Sequence, residues 1–292
     1  MISRAVYALC VVAAIMIATA PKSMAQTMQD GVDVERPAAS FFMVDLGPAS
    51  ILDTYLSPVE NEGVGLRLEY ERKQAMRFDP ERWIMQMNVG ADYASVNNPA
   101  GNHVAHSLHA DFKWGMMRRW RDVLTPGLGV YVGPSAQFRG GAVYKPTNSN
   151  NVVSVRLHCA VNVTAMVSYD LNVKELPITF SYQATLPVMG VFFSPEFGET
   201  YYEIYLGNTS GLAHFGWWGN RFDMVNQLSA DLHLGRTVLR LGYRNSVERT
   251  FVNNLKTRSV MHSAVLGVGG EWLSVGKKAT EVNKAKIISS MY

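Results

Sequence analysis

The sequence predicts an all-β protein: a transmembrane antiparallel β-barrel of about ten strands, with eight to twelve in range. Three observations carry this. Long stretches alternate apolar and polar residues with period two, so one face of each strand meets an apolar medium and the other a polar one. The run Trp83 to Tyr93 has aromatic residues at both ends, and its length matches the ~9–11 residues an oblique strand needs to cross a bilayer. Finally, 48% of the 292 residues are hydrophobic and 11% aromatic, while only 17% are charged. That balance suits strands facing lipid or a very large β core.

The first 25 residues read as a secretory signal peptide. Arg4 supplies the positive charge, Val6 to Ala20 the apolar segment, and Ser23-Met24-Ala25 a small-x-small cleavage site before Gln26. Beyond it no apolar run approaches the ~20 residues of a spanning helix. Residues 26–62 are expected to be a periplasmic lead-in. They include the apolar run Phe41 to Val44, of unassigned type, and a turn-like segment from Asp53 to Pro58. The barrel is expected over 63–275, with a polar, lysine-bearing tail over 276–292.

In chain order, Val64, Leu66, Leu68 and Tyr70 oppose Arg67, Glu69 and Glu71. Trp83 to Tyr93 follows. Then Val104, His106, Leu108, Ala110, Phe112 and Trp114 oppose Ser107, His109, Asp111 and Lys113. Arg118 to Arg121 reads as a loop or interfacial edge. Leu128, Val130 and Val132 form a strand, and Arg139 to Asn151 a loop. Val153 to Tyr169 and Leu176 to Leu186 alternate again. From Val188 to Asn220 the rhythm breaks at Pro195, several glycines and Trp217-Trp218; Thr200 to Leu206 is one more strand or a short helix. Three strands close the chain between Phe222 and Leu273. Nine strands result, or ten with the Thr200 segment.

Without the signal, 25 of the 27 basic residues remain against 24 acidic ones. No basic stripe exists, so a nucleic-acid partner is not expected. Cys159 is the one cysteine left, which excludes an intrachain disulfide. It sits in the apolar row of Leu157 and Val161 and reads as a small filler.

Three blocks resemble a family of Bacteroidota outer-membrane proteins that carries a domain of unknown function. They are Leu52 to Pro58 with Gly63; Gly207-Asn208 with His214-Phe215-Gly216 and Asn220; and Leu239 to Tyr243 with Val252 to Lys256 and His262-Ser263. Asn61 stands near where that pattern has an aromatic residue, and Trp217-Trp218 separates the second block. The resemblance implies a β-barrel and lends no activity.

The inward rows hold the chemistry. Arg67, Glu69, Asp111, Arg156, His158, Asp231, Arg240, Arg244 and Glu271 are expected to form a lumen network of paired charges filling a narrow barrel. This makes the chain an outer-membrane barrel, structural or a narrow pore or ligand-binding barrel. The alternative is a lipid-modifying enzyme, a phospholipid or lipid A hydrolase or acyltransferase, with Ser107, His109, His158 and His262 as nucleophile and base candidates. His103, His106 and His109 cannot form one site, because a spacing of three throws His106 to the other face. No cofactor or metal site is expected. The expected partners are outer-membrane lipid and the barrel-assembly machinery. Cleavage before Gln26 predicts that mass spectrometry of the exported protein gives a mature N-terminus at Gln26; retention of residues 1–25 would contradict the signal-peptide reading.

Overall fold

The structure, a computed structural model, describes residues 34–149, 151–173, 176–208, 210–235, 237–272 and 286–289. The signal peptide falls outside these residues. Among the described residues, thirteen strands and one short helix follow in order: β1 (Val34–Glu35), β2 (Ala38–Asp53), β3 (Ser57–Ala75), β4 (Trp83–Asn97), β5 (Val104–Trp120), β6 (Leu128–Tyr144), β7 (Val153–Val173), β8 (Leu176–Phe193), α1 (Tyr201–Tyr205), β9 (Ala213–Gly216), β10 (Arg221–Leu234), β11 (Thr237–Val252), β12 (Leu255–Trp272) and β13 (Lys286–Ile287).

Ten of these strands, β2 to β8 and β10 to β12, form a closed antiparallel barrel. Successive strands are neighbours, β12 pairs with β2, and β8 and β10 pair to complete the ring. Closure leaves no open edge, the condition for backbone polar groups to survive in lipid. The strands run from 14 to 21 residues, well beyond the five or six usual in soluble sheets.

Several boundaries differ from expectation. The barrel begins at Ala38, so much of the expected lead-in over 26–62 is wall. The sequence pattern hid β2 because Phe41 and Met43 are apolar and face inward, while Phe42 and Val44 are apolar and face outward. With both faces apolar, the alternation vanishes. The tenth strand is therefore β2, and Thr200 to Leu206 is not a strand: it holds α1, started by a capping box in which Thr200 and Glu203 bond each other's backbone N–H. Arg118 to Trp120 belongs to β5 and Arg139 to β6. At the other end, the described part of the tail forms β13, which pairs in parallel with β1. The Ser289 carbonyl accepts from Arg119 Nη1 at 2.9 Å.

Call the end of the barrel near β1 and β13 the termini end, and the opposite one the far end. The outward rows make an apolar belt. Phe42 is 65% exposed and Leu108 62%, with Leu66, Val89, Phe112, Val132, Val163, Leu228, Leu241 and Leu266 around the circumference. Toward the far end the belt is bounded by tyrosines, each bonded to a polar residue on the neighbouring strand. Tyr93 pairs with His106 at 2.8 Å, Tyr182 donates to Asn226 at 3.0 Å, and Tyr243 pairs with His262 at 2.6 Å. An aromatic girdle with its hydroxyls satisfied belongs at a membrane interface.

Two Gly-Pro steps interrupt the wall. The β2–β12 ladder lapses at Gly47-Pro48, between the Leu46–Ala264 and Ala49–Met261 pairs, and the β5–β6 ladder at Gly133-Pro134, between the Gly115–Ser135 and Arg118–Val132 pairs, and proline has no N–H for the ladder. The preceding glycines let the strands stay close: a Cβ on Gly47 would lie 1.9 Å from the His262 carbonyl oxygen, and one on Gly133 1.9 Å from that of Met116. Gly47→Ala and Gly133→Ala should each destabilise the barrel by about 1–3 kcal/mol in denaturant unfolding from detergent micelles. Gly140→Ala, whose nearest contact is the movable Leu157 side chain, should cost clearly less. Equal losses at all three positions would refute the close-approach argument.

Candidate functional site

The inward rows of β2 to β7 and β10 to β12 carry charges that interlock across the lumen. Nearest the termini end, Arg240 grips Asp231 with Nε and Nη2, both at 2.7 Å, and donates to Glu71 at 2.9 Å. Its guanidinium lies 3.9 Å from the ring centre of Phe41, which explains the inward aromatic on β2. Lys73 also pairs with Glu71, at 3.2 Å. The Asn88 amide donates to Glu69 at 2.8 Å and to Glu71 at 3.5 Å, linking this tier to the next.

The middle tier centres on Arg67. It takes Asp111 with both terminal nitrogens, at 2.6 and 3.0 Å, and Glu69 with Nε at 2.8 Å. Arg244 joins Glu69 and Asp45, each at 2.8 Å. Arg139 holds Asp92 by two bonds, at 2.6 and 3.0 Å. Forked guanidinium–carboxylate contacts of this kind fix geometry as well as charge.

Toward the far end, Arg139 reaches Glu248 at 3.4 Å. His158 lies 3.8 Å from both Glu248 and Asp223, and Arg221 pairs with Asp223. Arg156 pairs with Asp53 at 3.1 Å. A cavity of about 120 Å³ lies along these groups, lined on its other side by neutral Gln137, Asn162, Gln183, Thr185 and Gln227.

Of the expected network residues, Arg67, Glu69, Asp111, Asp231, Arg240 and Arg244 meet in one continuous run. Arg156 and His158 sit at its far end. Glu271 stands apart at the termini end, where it accepts from Ser289 at 2.6 Å. Sequence reasoning left out Asp45, Asp53, Lys73, Asp92, Arg139, Arg221, Asp223 and Glu248. The signal was present: Arg139, Asp223 and Glu248 continue the inward step of two from Gln137, Gln227 and Arg244.

The catalytic candidates separate. His262 is on the outer face, bonded to Tyr243. Inside, Ser107 Oγ lies 3.1 Å from His109 Nδ1, and Asp92 Oδ2 is 3.4 Å from the same nitrogen. A nucleophile–base relay needs the hydroxyl on one ring nitrogen and the carboxylate on the other. Here both crowd Nδ1, Nε2 has no hydrogen-bond partner, and Asp92 is already held by Arg139. The group belongs to the charge network, and His158 lies farther along it.

The far mouth gathers part of the residues that carry the family resemblance, while Leu239 to Tyr243 and His262-Ser263 lie within β11 and β12. Tyr55 donates to the Glu199 carbonyl at 2.7 Å, and Asn208 donates to the Glu199 side chain at 2.8 Å. Asn253 contacts His214 and the Pro195 carbonyl, each at 3.4 Å. Asn220 donates to the Phe215 carbonyl at 2.8 Å, and Thr54 Oγ1 accepts from the Lys256 backbone N–H at 2.8 Å. Asn253 and Asn254 have φ of 53° and 59°, the left-handed pair of a two-residue hairpin. Tyr201 Oη, which accepts from the Val155 N–H at 2.7 Å, packs edge-on against Tyr55. Burial, with the Glu199 carboxylate nearby, pushes the Tyr55 hydroxyl up to about 12, so it stays a neutral donor.

Arg67→Met would remove the buried cation shared by Glu69 and Asp111, leaving Glu69 to Arg244 and Asp111 to Arg139 at 3.2 Å. It should destabilise the folded barrel by about 3–5 kcal/mol in denaturant unfolding, whereas exposed Arg77→Met should stay within about 0.5 kcal/mol.

No curated protein matches the chain. Among solved structures it is similar to the outer membrane protease OmpT from Escherichia coli, at 7% identity and a TM-score of 0.46, covering 86% of this chain and 99% of that one. It is similar to the transport unit of the autotransporter AIDA-I from Escherichia coli, at 10% identity and a TM-score of 0.38, covering 89% and 97%. It is also similar to the translocator domain of the autotransporter NalP from Neisseria meningitidis, at 8% identity and a TM-score of 0.36, covering 92% and 98%. A family model described as a protein of unknown function, DUF3316, matches residues 7–279, and the chain belongs to that family.

Proposed function

We propose that the protein is an outer-membrane barrel whose lumen is sealed by its charge network, and that it acts as a structural or small-ligand-binding barrel rather than an open pore. One observation carries this reading: an unbroken run of ion pairs and one bridging amide crosses the lumen from Asp231 to Arg221. Each guanidinium is held by carboxylates of neighbouring or facing strands, so the run cannot part without exposing buried charge. The cavity beside it has room for several waters or one small polar ligand. The apolar belt and its tyrosine girdle support membrane insertion.

The lipid-modifying alternative needs a serine–histidine pair open to lipid. Outward His106 bonds Tyr93, and no hydrogen bond joins it to Ser95 across the strand pair. Deletion of the gene should accordingly leave lipid A and phospholipid acylation unchanged.

The purified protein should migrate heat-modifiably on detergent gels after outer-membrane fractionation, and it should show no steady conductance in planar bilayers. Recovery as a soluble periplasmic protein would overturn the membrane assignment, and a persistent open channel would overturn the sealed lumen.

A further inference from the structure

The outer face of β11 and β12 changes character toward the far end. Its lower part is lipid-like, with Leu239, Leu241, Ala264, Leu266 and Val268. Next comes the self-satisfied tier of Tyr243, His262 and Asn245, with His262 3.2 Å from the Asn245 amide. Val247 and Val260 stand opposite each other above it. One step farther, Arg249 and Arg258 are direct cross-strand partners, both outward and exposed. Lys256 is outward one step beyond, opposite Phe251.

Like charges directly opposite on a sheet repel, so this pairing calls for an anion. The protein supplies little. Arg258 has Glu60 at 3.5 Å, with both side chains substantially exposed, and the Glu60 carboxylate also takes the Ser50 hydroxyl. Arg249 lies over the Phe222 ring at 5.2 Å and has no carboxylate partner among the described residues. The Lys256 ammonium has none either. Glu62, the next outward carboxylate on β3, pairs with none of the three.

We propose that Arg249 and Arg258, with Lys256, bind the phosphate of an anionic lipid headgroup in the leaflet at the far end. The order along the two strands matches the order of groups in a lipid: apolar column, hydrogen-bonded interface, then cations. Two neighbouring guanidinium groups can hold phosphate oxygens by forked hydrogen bonds, which a lysine pair cannot reproduce. Phe222 stands beside Arg249 and Phe251 opposite Lys256. The proposal rests on the membrane-spanning reading above.

The test uses the full-length protein in nanodiscs of mixed phosphatidylglycerol and phosphatidylcholine, washed with detergent, with retained lipid counted by native mass spectrometry. Wild type should keep phosphatidylglycerol selectively. Each of R249A and R258A should weaken retention roughly fivefold, the ratio that corresponds to about 1 kcal/mol per interfacial arginine, and the double lysine variant R249K/R258K should retain an intermediate amount. All should keep heat-modifiable migration, which reports insertion separately. Loss of insertion in wild type would overturn the membrane reading and this one with it. Normal insertion with equal lipid retention in R249A/R258A would overturn the lipid site alone. Full displacement of the lipid by inorganic phosphate at equal concentration would make it a free-ion site and also overturn it.

Discussion

A charge inside a narrow barrel has little water to turn to, so it must find a counter-charge on another strand. Arg67 meets this constraint most directly. From β3 it reaches Glu69 on its own strand, Asp92 on β4 and Asp111 on β5. Arg244 then ties Glu69 to Asp45, joining β11 to β2 across the lumen. A one-residue slip in any of these strands would turn its charges out into lipid and its apolar row into the lumen. The ion pairs therefore specify register as well as filling space, and the apolar belt on the other face follows from the same alternation.

The lumen is divided. One wall, from β2 to β5 and β10 to β12, is charged. The other, from β6 to β8, adds Arg139, Arg156 and His158 toward the far end and elsewhere presents amides and hydroxyls such as Ser135, Thr164 and Thr185, which bond in a chain at 3.1 and 3.3 Å. Apolar clusters narrow the ends: Phe41, Met43, Val238 and Val265 with Ile84, Met117, Tyr131 and Met166 toward the termini, and Ile51, Val96 and Val143 toward the far mouth. The cavity of about 120 Å³ lies between them. Of the residues that carry the resemblance, Leu241 lies in the belt, Tyr243 and His262 in the girdle and Arg240 in the charge network, while others gather at the far mouth. Tyr55, Asn208, His214 and Asn253 tie the Pro195 to Asn220 segment to the turns at the far mouth.

Much of this was legible in the residues alone. Alternation at bilayer length determined the barrel class, the inward rows of β3, β5, β10 and β11, and the separation of His106 from His109, because period two is a local property of an extended chain. What the tertiary structure decided was non-local. Phe41 and Met43 made β2 unreadable until Arg240, nearly two hundred positions along the chain, stood over the Phe41 ring. Arg139 reads by its sequence as the start of a loop, whereas closure of the ring sets it 3.4 Å from Glu248. Ser107 and His109 suggested chemistry by type, and only the approach of Ser107 and Asp92 to one ring nitrogen of His109 joined them to the charge network. Sequence determined which residues face inward; pairing across the lumen depends on ring closure and register, which no local pattern contains.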